Sequence, residues 1–180
     1  DTGWMQTDVG VGLDITPPAP ADGAPAATTT PDEGEQAPIP AICSYEGELT
    51  EAVFDELWKI AIRWEVGDNR RIVPEARKRL AAFGPAVLPH VDRVFGQSAS
   101  GLEIRGFVGV LRPLVDDGHE EAVAEVLRTN VASEDSTRST SALLTLADLK
   151  LTSLAPDVAK LLESGDRRRA RRAAGVLKTL

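Results

Sequence analysis

Two histidines are the side chains of this chain best suited to acid–base or metal chemistry, and both stand close to carboxylates. His90 lies in the segment HVD, and His119 lies in DDGHEE. A metal or acid–base site needs about three converging groups. We interpret His90 as a half-exposed packing residue of a short helix, and His119 as part of an Asp-Gly turn whose acids cap the next helix. The sequence therefore predicts no metal site.

The single cysteine, Cys43, is the remaining candidate nucleophile. It lies in a segment flanked by prolines, without a basic neighbour that would lower its thiol pKa. A lone cysteine excludes an internal disulfide and every multi-cysteine zinc pattern. The chain also shows no Ser-His-Asp order and no glycine-rich loop that would hold a phosphate. We therefore predict no catalytic constellation, no cofactor and no enzymatic activity.

The strongest charge feature is the segment DRRRARR, which places five arginines between positions 167 and 172. Nucleic-acid binding requires basic residues on several successive helices. The segment 31 residues earlier, at 136–149, has a similar sequence pattern but only one basic residue, Arg138. We interpret the arginines as chiefly a solvated helix face. The residues predicted to form the packed face of the same helix recur at helical spacing and are Ala170, Ala173, Ala174 and Leu177.

Charge is divided unevenly along the 180 residues. Residues 1–58 contain 12 acidic and no basic side chains, whereas the rest of the chain has 20 basic against 16 acidic side chains. An acidic segment beside a mildly basic body can bind that body, bind a basic partner, or keep the protein soluble. Solubility is the simplest of these interpretations.

Residues 1–47 have the composition of an acidic, extended arm and linker. Between 16 and 42 the chain is rich in Pro, Ala and Thr and has no hydrophobic periodicity, so it cannot bury a core. Such linkers are common in exported bacterial proteins. The composition therefore favours an extracytoplasmic location, periplasmic or secreted, with the cytoplasm as the alternative.

Ahead of the linker, the segment DVGVGLDI alternates apolar and polar residues with the period of a strand. An apolar strand on a flexible linker would add to the edge of a partner's sheet. The alternative is an irregular end with chance alternation, because two glycines weaken the strand propensity. The residues predicted to bind a partner here are Trp4, Val9, Val11, Leu13 and Ile15.

From Thr50 onwards the periodicity is helical, and no strand pattern appears. Thr50 is a candidate N-cap for a helix that continues to Trp64. Trp58 broadens the apolar face of this helix, and we interpret it as a core or an interface residue. Pro74 is predicted to open the next helix, which Gly84 ends. Further helical segments follow to the C-terminus, and no apolar run reaches the length of a membrane span. The expected fold is therefore all-α over residues 48–180.

Internal repetition organises these helices. The segment SEDSTRSTSALLTLADL from Ser133 aligns with SGDRRRARRAAGVLKTL from Ser164 at an offset of 31 residues. The earlier segment LEIRGFVGVLRPL aligns with the one from Ser133 at an offset of 33 residues. A period in the low thirties with two helices per unit indicates a solenoid, in which stacked units share a continuous core. We expect about three repeats. The chain ends at Leu180 within the last one, and we expect further residues or a partner to cover that end.

The segments RLAAFGPAVLPHVDRVF, EIRGFVGVL and LAPDVAKLLESGDRRRARRAAGVL resemble HEAT and HEAT-like repeats over residues 74 to 180. The resemblance implies a polar ladder between units, formed by an Asp of each turn and an Arg of the following helix. In the first unit Glu103 replaces the Asp, which puts that rung in doubt. By position the ladder residues are Arg105, Asp135, Arg138, Asp166 and Arg169.

These observations predict a non-catalytic scaffold or accessory subunit of a multi-subunit complex, with other protein subunits as partners and any membrane association made through a partner. Besides the arm, Trp58, Arg168 and Arg172 are its predicted contact residues. Two alternatives remain. The first is a chromophore-handling, lyase-like enzyme, since phycobilin lyases and DNA alkyl-base glycosylases are HEAT-like proteins that catalyse reactions. The second, less favoured, is a nucleic-acid binder that uses the arginine cluster.

Overall fold

Helices make up all the regular secondary structure of residues 36–180, the part of the chain that the computed structural model describes. This confirms the all-α prediction for the described residues. Short 3₁₀ turns and one π turn connect the α-helices. The α-helices are α1 (Glu51–Ala61), α2 (Asn69–Ala81), α3 (Leu88–Val94), α4 (Gly101–Leu114), α5 (Glu120–Ala132), α6 (Ser136–Leu149), α7 (Ala155–Lys160) and α8 (Arg167–Leu177).

Local capping explains where several helices begin. The Thr50 hydroxyl accepts a hydrogen bond from the Val53 amide at 3.3 Å, which satisfies one of the free N–H groups of α1. Ser100 and Glu103 form a reciprocal capping box at the start of α4. Glu103 therefore stabilises the beginning of its own helix.

Two predicted helix boundaries are wrong. Pro74 lies inside α2, which already begins at Asn69, because Ile72 and Val73 are buried and hold the preceding turn in the helix. The apolar stripe of α1 does not reach Trp64, since the helix ends at Ala61 and Trp64 is 62% exposed in the following loop. In both places tertiary packing overrides the local signal.

The α-helices form two layers that share one core. We call α2, α4, α6 and α8 the even-helix layer, because α2 contacts α4, α4 contacts α6, and α6 contacts α8. We call α1, α3, α5 and α7 the odd-helix layer; within it α3 contacts α5 and α5 contacts α7. The layers meet where α1 lies against α2, α5 against α6, and α7 against α8.

Aromatic rings fill the first part of this core. Phe107 of α4 stacks on Phe95 with ring centroids 4.1 Å apart, and Trp58 lies 4.9 Å from Phe107. Phe54 continues the cluster, with its ring stacked on Trp58. Burial of each of these rings stabilises the fold by roughly 1.5–3 kcal/mol, and the stacked arrangements add to this.

The body extends further towards the N-terminus than the composition predicts. Residues 41–44 form a 3₁₀ turn that contacts α1 and α2. Cys43 is buried there, and Ile42 packs against the core. Apolar side chains thus bring part of the Pro-rich segment onto the helices. Within the described residues, no helix has both the length and the apolarity needed to cross a bilayer.

Two chain reversals depend on left-handed backbone. Gly84 has φ of 59°, and Lys150, the C-cap of α6, has φ of 57°. A left-handed conformation disfavours residues with a Cβ by roughly 1–2 kcal/mol. A Cβ at Gly84 would lie in open space, so that alanine there meets only the backbone cost.

We expect Lys150→Gly to raise the free energy of unfolding by about 0.5 kcal/mol, because relief of the left-handed strain exceeds the extra chain entropy of glycine. Gly84→Ala is the reciprocal control and should lower the free energy of unfolding by about 1 kcal/mol. Urea unfolding followed by circular dichroism measures both values. A loss of stability in Lys150→Gly would contradict the strain assigned to that position.

Candidate interaction surface

The two helix layers differ in charge. The helices of the even-helix layer contain 13 basic and 3 acidic residues, whereas those of the odd-helix layer contain 4 basic and 8 acidic residues. The net charges of the helices are therefore +10 and −4. Exposed charges act over distances of about 8 Å at physiological ionic strength. A partner bound to one layer therefore interacts mainly with the charges of that layer.

Ion pairs are concentrated in the odd-helix layer. Arg93 of α3 bridges to Asp55 and, at 3.4 Å, to Glu51 of α1. Arg128 of α5 contacts Asp157 of α7 at 3.1 Å, as well as two glutamates of its own helix. Hydrogen bonds from Lys160 and from Arg128 hold the pKa of Asp157 below its ordinary value. Much of the acidic charge of this layer is thus already paired.

The cations of the even-helix layer are mostly unpaired. Within residues 36–180 only Arg77 and Arg138 of this layer lie within ion-pair distance of a carboxylate, Glu65 and Asp92 respectively. The exposed cations of the layer with no carboxylate partner among the described residues are Arg70, Arg71, Lys78, Arg105, Arg112, Arg167, Arg168, Arg171 and Arg172. Their charge remains available to a partner.

An open groove of about 450 Å³ lies between α2 and α4. Its walls carry Lys78, Ala81 and Pro113. Gly109 makes the close approach possible, because a Cβ at this position would lie 2.4 Å from Cδ of Arg77. The Arg77 side chain extends towards α1 and donates through Nε to the Ala61 carbonyl at 2.8 Å.

A second open groove, of about 380 Å³, lies between α6 and α8. Leu144, 38% exposed, and Gly175 give it an apolar lining, while Arg172 and Asp148 provide charge. Arg112 connects the two grooves, since it lies in the last turn of α4 next to Pro113 and donates through Nη2 to the Asp148 carbonyl at 2.5 Å. All four even-numbered helices contribute to this surface through their C-terminal halves.

A polar network takes the place of the expected ladder between turn aspartates and helix arginines. The side chain of Asn130, fully buried, donates to Asp92 at 2.6 Å and accepts from Nη1 of Arg138 at 2.7 Å. Gly96 gives the arginine its space, because a Cβ there would lie 2.9 Å from Nε of Arg138. Arg169 donates instead to the carbonyl of Val131 at 2.7 Å.

The remaining ladder residues have other roles. The carboxylate of Asp135 accepts hydrogen bonds from the amides of its own helix α6, and Asp166 caps α8 in the same way. Arg105 is exposed, near Trp64, with no acidic partner among the described residues. Each of these aspartates caps its own helix, and neither lies within ion-pair distance of an arginine among the described residues. The buried group that accepts the hydrogen bond of Arg138 is Asn130, which no sequence motif indicated.

Of the residues predicted to bind a partner, Trp58 is 4% exposed and lies in the aromatic core, so it is not a surface contact. Arg168 and Arg172 are exposed on α8, and Arg172 also donates to the Thr140 hydroxyl. The arm residues predicted to contact a partner lie outside the described residues; they are Trp4, Val9, Val11, Leu13 and Ile15.

The candidate chemical residues are separated in the structure. His90 is half-buried with its ring stacked on Phe54, and His119 is exposed at the turn before α5. Burial raises the pKa of the Cys43 thiol. Among residues 36–180 there is no group of three or more His, Cys, Asp and Glu side chains arranged to hold a metal ion.

We expect Asn130→Ala to lower the free energy of unfolding by about 2 kcal/mol, because it leaves Asp92 and Arg138 without their shared partner. Thr129→Ala, at the exposed neighbouring position, is the control and should cost no more than about 0.5 kcal/mol. A double-mutant cycle with Asp92→Ala should give a coupling of at least about 0.5 kcal/mol. We would measure the free energies of unfolding by thermal unfolding. If the losses caused by Asn130→Ala and Asp92→Ala simply add in the double variant, the two residues do not belong to one network.

Comparison of the chain with protein-family models, with curated proteins and with solved structures found no match. The resemblance to HEAT-like repeats therefore rests on the sequence motifs alone. The feature of the described residues that bears most directly on function is the basic, grooved outer side of the even-helix layer.

Proposed function

We propose that this protein is a non-catalytic interaction scaffold, an accessory subunit of a larger assembly, which binds a protein partner on the outer side of the even-helix layer. In this proposal the two layers are a short solenoid of about three HEAT-like units. Solenoids commonly use an extended, repeated surface for binding, because each unit covers only the apolar face of its neighbours.

The order of helix contacts supports the solenoid. Each even-numbered helix lies beside the next even-numbered helix, and three of them begin with the same kind of N-cap, at Ser100, Asp135 and Asp166. The repeated small residues Ala142 and Ala173 are both fully buried. Their small side chains allow α6 and α8 to pack closely against neighbouring helices. Similar burial is expected of two residues that occupy equivalent positions in successive repeats.

The observation that carries the proposed function is the combination of unpaired cations and two grooves on one layer. A surface of this kind suits a chain that lies across several helices. The lyase-like alternative has less support, because a tetrapyrrole pocket would be rich in aromatic side chains. Neither groove is lined by an aromatic residue, and the described rings Phe54, Phe95 and Phe107 are fully buried in the core.

The proposal retains an extracytoplasmic location and a second contact through the arm. The alternating segment at 9–15 would supply that contact by adding to a sheet edge of another subunit. Any association with a membrane would then be made through a partner. These parts of the proposal rest on composition and periodicity.

The five lysines of the chain allow a direct test. Lys78, Lys150 and Lys178 lie on or at the ends of helices of the even-helix layer, whereas Lys59 and Lys160 belong to the odd-helix layer, and all five are exposed. After amine-reactive cross-linking of the full chain in an extract of the producing cells, we expect partner cross-links at the first three lysines. Mass spectrometry identifies the linked residues.

Lysine-to-arginine variants provide matched controls, because they keep the charge and remove the reactive amine. A triple variant at Lys78, Lys150 and Lys178 should lose the cross-links, and a double variant at Lys59 and Lys160 should retain them. Cross-links that concentrate on Lys59 and Lys160, or a chain that cross-links to no protein, would contradict the proposed function.

A further inference from the structure

The chemistry of the even-helix layer also indicates what kind of segment it binds. Its helices carry a net charge of +10, and most of their exposed cations have no carboxylate partner within the described residues. Like charges held close together repel one another, and an anionic partner removes that cost. The occupant of this surface should therefore be acidic.

The grooves add an apolar requirement. The α2–α4 groove has Ala81, Ala82 and Pro113 in its lining, and the α6–α8 groove has Leu144 and Val176. Volumes of about 450 and 380 Å³ fall in the range of sites that hold small apolar groups. Aliphatic side chains of a partner would fill them and remove apolar surface from water.

We propose that the partner is an acidic polypeptide segment with spaced aliphatic side chains, which lies across the C-terminal halves of α2, α4, α6 and α8. This inference rests on the proposed function and names the partner's chemistry. Lys78, Arg112 and Arg172 meet the partner's carboxylates in turn along the path, while the two grooves receive its aliphatic side chains. Arg112 occupies the middle of the path, between the grooves.

The same path is poorly suited to nucleic acid. Asp117 lines the first groove and Asp148 the second, so these grooves suit uncharged side chains, whereas a nucleic acid carries a phosphate on every residue. Single-stranded nucleic acid binds through base stacking on aromatic side chains, and no aromatic residue of α2, α4, α6 or α8 is exposed.

The geometry sets the length of a suitable probe. Neighbouring packed helices lie about 8–10 Å apart, so the path across four helices spans about 30 Å, which an extended chain covers in about nine residues. We would use a fluorescent peptide of about 12 residues in which Asp and Glu surround two leucines. A peptide of equal charge with glycine in place of leucine, and oligo-dT of about 12 nucleotides, serve as comparison ligands.

Fluorescence anisotropy with the full chain, at low and high salt, tests the proposal. Lys78→Glu and Lys59→Glu are matched variants, since both replace an exposed lysine on adjacent helices of opposite layers. Gly175→Leu fills the second groove, where a Cβ meets open space, and leucine favours the helix more than glycine does. Circular dichroism verifies that all variants remain folded.

We expect Lys78→Glu and Gly175→Leu each to weaken binding of the leucine peptide by about tenfold, the scale of one lost charge or groove contact. Lys59→Glu should change the affinity less than about twofold, and the glycine peptide should bind about tenfold more weakly than the leucine peptide. Binding should also fall as the salt concentration rises.

Three results would overturn the inference: no binding of the leucine peptide, equal binding by all three variants, or tighter binding of oligo-dT at the same salt concentration. The peptide-binding experiment can fail while the proposed scaffold function still holds, and the cross-linking experiment tells the two cases apart. If cross-links to a protein partner still concentrate at Lys78, Lys150 and Lys178, the scaffold stands and only the acidic segment is rejected.

Discussion

The packing of Phe107 against Trp58 and Phe95 is the interaction on which the arrangement of the first helices depends. Phe107 belongs to α4, in the middle of the even-helix layer, and its ring lies 4.9 Å from that of Trp58 in α1. Phe95 follows α3 and stacks on the same ring. Because one buried side chain of the even-helix layer contacts both α1 and the end of α3, α4 holds these two parts of the odd-helix layer in place, and the later helices extend the same two layers.

Close packing of the apolar faces decides where the charges lie. Each helix turns its apolar side inward, so its charged residues lie on the outer side of its own layer. The acidic residues of the odd-helix layer find cations on neighbouring helices, as Arg128 does with Asp157. Most basic residues of the even-helix layer have no carboxylate partner within the described residues, Arg77 and Arg138 excepted, which makes that layer the candidate interaction surface.

Local features were predictable where they depend on neighbours in sequence. Thr50 caps α1 as expected, since an N-cap is satisfied within one turn. Pro74 misled the prediction because the buried Ile72 and Val73 extend α2 ahead of the proline. The role of Asn130 gave no sequence signal, because its partner Asp92 is 38 residues away and an isolated asparagine forms no motif.

The sequence by itself determined that the body is helical and that basic residues dominate the C-terminal end, because periodicity, capping and charge are properties of short segments. Only the tertiary structure decided that Trp58 is buried, that Asp135 and Asp166 cap their own helices, and that the basic helices form one layer. The physical reason is that these outcomes depend on contacts between helices far apart in the chain. The grooves between α2 and α4 and between α6 and α8 exist only once those helices lie side by side.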